Sequence, residues 1–400
     1  MNVKLNDQRK LNEALYIGSV NSSELLSILL SFFKRAGGIS HSVLRYGPSL
    51  SGSYLDIVFD SEGSIEGVTS TLSDSEIDAL SCHVRAMLVE NQKEALAQTI
   101  CFSPHLTVRG LYRYKDMFQI LPIPQSAADV PMIMADHPLI LQFKFVSSPD
   151  AGINSKRQVK EAATFIRILG VVCRPKILPK SRYTRFFWST SFDNEMVARW
   201  LQEGYGYSGF RPELAEFSAA SECPPIKIYP SAEYYGDKFM TDDYEFALPD
   251  VVDEYLDKVF ALNIEDSRKF SIANTWFSQV HALWYESSSS AFVAGVSAVE
   301  ALIEKKSDVC KECGQPRHRV TKKFKDFLEE YVPNVKTEFP KELDLIYSVR
   351  SDLAHGGRLL LADLEYWNFF GGWREQQEDA IQRNTHEIVA SALRNWILKH

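Results

Sequence analysis

The sequence has no long apolar run and few cysteines. Its longest apolar stretch, 25–33, is interrupted by serines and is too short to span a bilayer. Residues 1–16 have no apolar core of the signal-peptide type. Six cysteines in 400 residues do not make the dense disulfide framework of small secreted proteins. These absences predict a cytoplasmic protein in a reducing environment, with no membrane partner.

An excess of positive charge is also absent, because the formal net charge is −8. Any contact with a nucleic acid must therefore come from a local basic patch, since the overall field repels phosphate. The sequence also lacks a P-loop, a dinucleotide-binding fingerprint, a Ser-His-Asp order and a paired-carboxylate signature. These absences argue against the enzyme classes that depend on those motifs.

The chain is longer than one hydrophobic core usually allows, which favours at least two domains. Prolines at 224, 225, 230 and 249 mark a boundary, and the hydrophobic period changes beyond it. Residues 1–250 are predicted to be a mixed α/β region with antiparallel strands, and residues 251–400 an all-α bundle. The predicted fold class is thus α+β, with a sensing or regulatory region, possibly of two subdomains, before a helical domain.

Hydrophobic periodicity supplies the individual elements. In the N-terminal region it predicts strands at 54–60, 139–145 and 185–192, and helices at 22–35, 74–96, 157–169 and 194–202. In the C-terminal region it predicts helices at about 266–286, 289–306, 319–331, 340–354 and 376–398.

The fourth of these C-terminal helices ends in Arg350, four further residues, His355 and two glycines. The glycines are a helix stop signal, so His355 is expected at the helix C-terminus. The carbonyl end of a helix favours a protonated imidazole, which suits a general acid or base. Arginine can hold a phosphate through two donors. Arg350 and His355 are therefore the candidate catalytic pair, for phosphodiester chemistry that needs no metal.

An arginine and a histidine at this spacing form a weak motif by themselves. The structural alternative is that Arg350 makes a salt bridge while His355 only caps helix carbonyls. Glu300, embedded among apolar residues, is interpreted as a buried partner for an arginine and not as a third catalytic group.

In the context of an all-helical domain, the motif at 350–357 resembles that of the HEPN superfamily, and more closely its Apea-like branch, over about 251–400. The resemblance implies a metal-independent endoribonuclease that works as a homodimer or higher homo-oligomer. The Arg350 and His355 side chains of two protomers would line one composite cleft. His355 would handle the proton of the ribose 2′-hydroxyl or of the leaving oxygen, Arg350 would stabilise the phosphorane, and the products would carry a 2′,3′-cyclic phosphate.

The resemblance further implies defence against phage, a phage-derived trigger, and RNA, for example tRNA, as the target. Two positions depart from the family pattern. Ser351 stands where Asn, Asp or His is frequent, and Gly357 stands where members regulated by tyrosine modification carry tyrosine. A catalytically silent HEPN module that binds RNA or a nucleotide, or mediates assembly, is the alternative.

Cys310, Cys313 and His318 have the spacing of the first three ligands of a zinc knuckle. The position of the fourth ligand is occupied by Lys323, so a structural zinc ion would need a ligand from elsewhere. The other interpretations are a reduced surface loop, a redox pair, or a zinc-dependent nucleic-acid-binding protein. No cofactor is expected for catalysis.

Residues 305–325 carry eight Lys or Arg against two acids. This basic segment precedes the motif helix and is expected to contact RNA phosphates, although a charged run is more often only a solvated face. The candidate RNA-binding residues are Arg317, Arg319, Lys322, Lys323 and Lys325.

Overall fold

The computed structural model describes residues 8–49, 51–61, 63–104, 106–124, 136–174, 176–179, 187–192, 198–203, 210–219, 223–236, 244–284, 286–304, 308–309, 316–317, 320–339, 342–364 and 373–400. The chain divides into two compact units. Unit 1 comprises 1–98, 142–161 and 211–217, and unit 2 comprises 99–141, 162–210 and 218–400. Each unit is made of several segments of the chain, so neither corresponds to residues 1–250 or 251–400. The domain boundary at 250 stays a prediction.

Unit 1 begins with helices and a four-stranded antiparallel sheet of order β1-β2-β3-β4. Its elements are α1 (Gln8–Ala14), α2 (Ser22–Phe33), β1 (Ala36–Ser40), β2 (Val43–Tyr46), β3 (Leu55–Phe59), β4 (Ile65–Ser70) and α3 (Asp74–Arg85), which continues into a π-helical turn (Ala86–Glu90). Leu55 and Ile57 of β3 are buried with Ile28 of α2 and Leu80 of α3 in one core. The apolar faces of the helices and the sheet therefore supply this core together.

The middle of the chain forms further strands and two helices. They are β5 (Lys93–Pro104), β6 (Tyr112–Tyr114), β7 (Phe118–Pro122), β8 (Asp136–Ser147), α4 (Ala151–Val172), β9 (Leu178–Pro179), β10 (Phe187–Phe192), β11 (Ala198–Glu203), β12 (Glu213–Leu214), β13 (Ile228–Tyr229), α5 (Ser231–Tyr234) and β14 (Leu248–Pro249). One sheet has the order β12-β5-β8-β7-β6, with β9 also paired to β5. Strands β10 and β11 form an antiparallel hairpin.

The rest of unit 2 is mainly helical. Its elements are α6 (Val252–Ala261), α7 (Ile264–Leu283), α8 (Ser288–Glu300), β15 (Asp308–Val309), β16 (Pro316–Arg317), α9 (Val320–Tyr331), α10 (Val335–Glu338), α11 (Glu342–Ala354), α12 (Leu361–Leu364) and α13 (Trp373–Lys399). Helix α8 contacts α7, α11, α12 and α13. Its small and apolar residues lie on all sides, as a helix surrounded by others requires.

The structure confirms the α+β class and antiparallel pairing among the N-terminal strands. The five predicted C-terminal helices correspond to α7, α8, α9, α11 and α13, and α6 and the short α10 and α12 are additional. None of the helices in the described ranges is both long enough and apolar enough to cross a membrane.

Two element predictions are wrong. The helix predicted at 74–96 ends earlier, because residues from Lys93 onward belong to β5. The helix predicted at 194–202 is contradicted from Ala198 onward, where the chain forms β11. Strand β11 pairs with β10 through six residue pairs. These inter-strand hydrogen bonds outweigh a helical periodicity that extends over less than three turns.

Candidate functional site

The candidate site lies at the C-terminal end of α11. Gly356 has φ +70, in the left-handed region that glycine adopts without a steric penalty. The Gly357 N–H donates to the Asp352 carbonyl (2.8 Å), and the Gly356 N–H donates to the Leu353 carbonyl (3.2 Å). This pair of hydrogen bonds is the Schellman motif, with His355 as the helix C-cap. The predicted stop signal therefore works as expected and fixes the backbone of His355.

His355 has an exposed side chain, while its backbone N–H donates to the Ser351 carbonyl at 3.1 Å. The helix end thus holds the residue in place through its backbone and leaves the imidazole accessible from solvent. An accessible imidazole on a capped helix end can exchange a proton with a bound substrate.

Arg350 occupies a different environment. Its terminal Nη2 donates to Oε2 of Glu300 at 2.8 Å, across the contact between α11 and α8. The two side chains are 25% and 21% exposed, so the ion pair is partly shielded from water. The Nε of Arg350 is buried and has no hydrogen-bond partner among the described residues. The pairing predicted for Glu300 with an arginine is confirmed, and the guanidinium retains donors for a further acceptor.

The two candidate catalytic residues do not share one environment within a single chain. Five positions along a helix correspond to a rotation of about 140°, so Arg350 and His355 project from different sides of the helix. Arg350 reaches α8, whereas His355 faces solvent. Their catalytic roles stay a prediction.

A groove of about 610 Å³ lies beside the helix end that carries His355. Helices α7, α8 and α11 and the segment after α11 contribute its walls. Most of its lining is apolar, including Leu353, and its Trp276 and Leu359 are 44% and 47% exposed. An open apolar groove adjoining an exposed histidine is suited to a partner surface or an aromatic ligand.

The segment that follows His355 is attached to the start of α8. Asp363 accepts hydrogen bonds from the Ser288 and Ser289 N–H groups (2.7 and 2.9 Å) and from the Ser287 hydroxyl (3.2 Å). The Ser289 hydroxyl in turn accepts from the Leu360 N–H at 2.9 Å. Asp363 therefore acts as a cap for α8 from another part of the chain, a contact that the sequence does not reveal because capping signals are local.

The structure describes three of the five candidate RNA-binding side chains. Lys322 is exposed, Lys323 donates to the Glu304 carbonyl at 3.3 Å, and Lys325 pairs with Asp344 of α11. For Arg317 only the backbone is described, in β16, and Arg319 lies outside the described residues. Of the described lysines, Lys322 is the most accessible to a phosphate.

The zinc-knuckle residues Cys310, Cys313 and His318 lie outside the described residues. Within the described part of the chain, no group of three or more His, Cys, Asp or Glu side chains is arranged to hold a metal ion. The zinc site stays a prediction.

No family model matches the chain, and no match was found among curated proteins or solved structures.

Proposed function

We propose that this protein is a metal-independent endoribonuclease of the HEPN type, with Arg350 and His355 as its catalytic residues. The observation that carries the proposal is the end of α11, where an exposed histidine stands on a hydrogen-bonded helix cap. An arginine held by a carboxylate lies little more than one turn earlier. Such an arrangement supplies a proton-transfer group and a positive charge held in place, two of the groups that catalyse RNA transesterification.

In the proposed reaction, one His355 takes the proton of the ribose 2′-hydroxyl as its oxygen attacks phosphorus. The P–O5′ bond breaks, and the leaving 5′-oxygen receives a proton. The products are a 2′,3′-cyclic phosphate and a 5′-hydroxyl. Arg350 stabilises the charge that develops on the phosphorane oxygens, and Glu300 positions its guanidinium.

We propose that a second copy of the chain completes the site. One chain offers a single His355, whereas the reaction uses both a base and an acid. The His355 of the second copy would protonate the leaving 5′-oxygen. The apolar groove beside His355, with the exposed Trp276 and Leu359, supplies a surface that a partner protomer can cover. This arrangement would also add a second Arg350 to the cleft.

The proposed setting is the cytoplasm of a prokaryote under attack by phage. Cellular RNA, such as tRNA, would be the target, and the N-terminal region would respond to a phage-derived trigger. RNA would be guided by the basic segment, with Lys322 as the most accessible of its described side chains.

A structural zinc ion bound by Cys310, Cys313 and His318, with a fourth ligand from elsewhere, would stabilise the same segment. Metal analysis of the purified protein and of Cys310→Ser tests this separately, because the nuclease proposal needs no metal. Zinc lost from the variant but present in the wild type is the expected result. Equal metal content would overturn the zinc site.

The alternative is a catalytically silent module that binds RNA. The Arg350–Glu300 pair favours it, because an arginine that joins two helices has a structural task without any chemistry.

Cleavage in EDTA distinguishes the two functions. Total RNA and defined tRNAs are incubated with wild type, Arg350→Ala and His355→Ala. Arg383→Ala and His41→Ala, which alter exposed residues, serve as matched controls. We expect cleavage with cyclic phosphate ends by wild type and both controls, and a loss of about 10²-fold or more in the two site variants. RNA that is bound equally by all five proteins and cut by none would support the silent module.

A further inference from the structure

Arg394 on α13 is a partly buried cation without a matching acid. Its guanidinium lies 3.5 Å from the ring centre of Tyr235 and its Nη2 is 3.5 Å from the Ser391 hydroxyl. Among the described residues, no carboxylate lies within ion-pair distance of it. Burial lowers the pKa of Arg394, so the surroundings disfavour its charge without an acid to offset the cost.

A cavity of about 410 Å³ adjoins Arg394. It is lined by the end of α4, the segment around Asn334 and one face of α13. Its volume lies within the range of small-molecule sites. The cavity is lined by unit 2 alone and shares no lining residue with the groove beside His355.

A second arginine in this cavity is held in a fixed position. Nη1 of Arg174 donates to the carbonyls of Tyr234 and Gly236, at 3.1 and 2.6 Å. Its Nη2 lies 3.5 Å from the Glu387 carboxylate, too far for a strong charge-assisted hydrogen bond. Arg174 therefore presents a pre-oriented positive charge.

His386 lines the same cavity and has a buried Nε2 with no hydrogen-bond partner among the described residues. Burial, with a smaller contribution from the nearby Lys176, lowers the pKa of His386 to about 4. The imidazole is consequently neutral near pH 7, and it can form a hydrogen bond with a ligand without adding charge.

Two acidic residues also line the cavity. Glu338 and Glu387 both line the cavity, and both are exposed. Solvent reduces the repulsion that their charges exert on an anion but does not abolish it, and Arg394 is less exposed than either carboxylate. An anion that enters would therefore meet the two guanidiniums, with the Ser391 hydroxyl and the Asn334 amide as uncharged donors.

We propose that this cavity binds a small phosphorylated molecule, with its phosphoryl group between Arg394 and Arg174. Phosphoryl oxygens match the forked donors of guanidinium groups, and such a ligand would supply the negative charge that Arg394 lacks. The site lies apart from Arg350 and His355, so it does not depend on the proposed nuclease activity.

Calorimetric titration of the full-length chain tests the proposal, with inorganic phosphate and the four 5′-ribonucleoside monophosphates as probes. We expect saturable binding to wild type and at least about tenfold weaker binding to Arg394→Gln, as loss of a charge-assisted hydrogen bond implies. Arg383→Gln, an exposed arginine on the same helix, should bind like wild type. Tighter binding of nucleotides than of phosphate would show that the cavity also recognises the nucleoside.

Glu387→Gln should strengthen ligand binding, a result that is not expected if the cavity residues only stabilise the fold. Removing this carboxylate abolishes its repulsion of the ligand and releases Arg174, so binding should become tighter by a few-fold. Should Arg394→Gln fail to fold, Ser391→Ala replaces it and should weaken binding.

Equal binding by Arg394→Gln and Arg383→Gln, or no binding of any probe to wild type, would overturn the site. His355→Ala should bind as wild type does, which separates this outcome from any failure of the nuclease proposal.

Discussion

Arg350 of α11 donates a hydrogen bond of 2.8 Å to Glu300 at the end of α8, and so links two helices across fifty positions of sequence. The contact places a charge of each sign at a partly buried helix interface. We therefore expect the pair to contribute to the stability of the protein independently of any action of Arg350 on RNA.

Replacement of Glu300 by Gln should destabilise the protein by about 1–2 kcal/mol, because a charge-assisted hydrogen bond is lost and the Arg350 charge stays partly buried. Urea unfolding at neutral pH measures the change in the free energy of unfolding. Asp326→Asn, an exposed carboxylate on α9, is the control and should change stability little. A Glu300→Gln variant as stable as this control would show that the pair contributes nothing.

The left-handed backbone at Gly356 predicts that Gly356→Ala costs about 1 kcal/mol, since a Cβ is strained at φ +70. At Gly357 an added Cβ would lie 3.4 Å from the Asp352 carbonyl oxygen, an ordinary contact, so Gly357→Ala should cost less. Thermal unfolding of both variants gives the comparison. The reverse order of stability would contradict the Schellman motif at the end of α11.

Asp363 caps α8 through two backbone N–H groups and the Ser287 hydroxyl, so Asp363→Ala should reduce the free energy of unfolding by about 1–2 kcal/mol. Asp363→Asn keeps an acceptor oxygen and should recover part of this loss. Denaturant unfolding of the two variants beside wild type tests the order. If Ala and Asn at this position were equally harmless, the cap would have no energetic role.

Glu76 in unit 1 predicts a pH dependence of stability. Hydrogen bonds from Ser51 first, and from Ser73 and Ser49, lower the pKa of Glu76 from 4.5 to about 2. Because the folded pKa lies below the unfolded value, the carboxylate stabilises the protein above pH 4.5. This contribution is lost as the pH falls from 4.5 to about 2.

The measurement is the free energy of unfolding of wild type and Glu76→Gln between neutral pH and about pH 2. The variant should show a shallower decline in acid than wild type. Glu66→Gln, an exposed carboxylate on β4, should decline as steeply as wild type. Parallel curves for Glu76→Gln and wild type would refute the stabilising role of this carboxylate.

Much of the helical domain could be predicted because its signals are local. Helix α11 ends just before Gly356 and Gly357, and helix α8 begins after its N-cap residue Ser287. The prediction of a helix at 194–202 was wrong because the deciding interactions are not local. Residues 198–203 pair with strand β10, and no local pattern in the sequence reveals these hydrogen bonds.

The sequence by itself determined the α+β class, the positions of the main C-terminal helices and the position of His355 at a helix end, because periodicity and capping act within a few residues. It also indicated that Glu300 needed an arginine, but several arginines were available. Only the tertiary structure decided that the partner is Arg350, that Asp363 caps α8, and that Arg394 and Arg174 share one cavity. These relationships join residues dozens to hundreds of positions apart, and the packing of helices, not the local chain, brings such residues together.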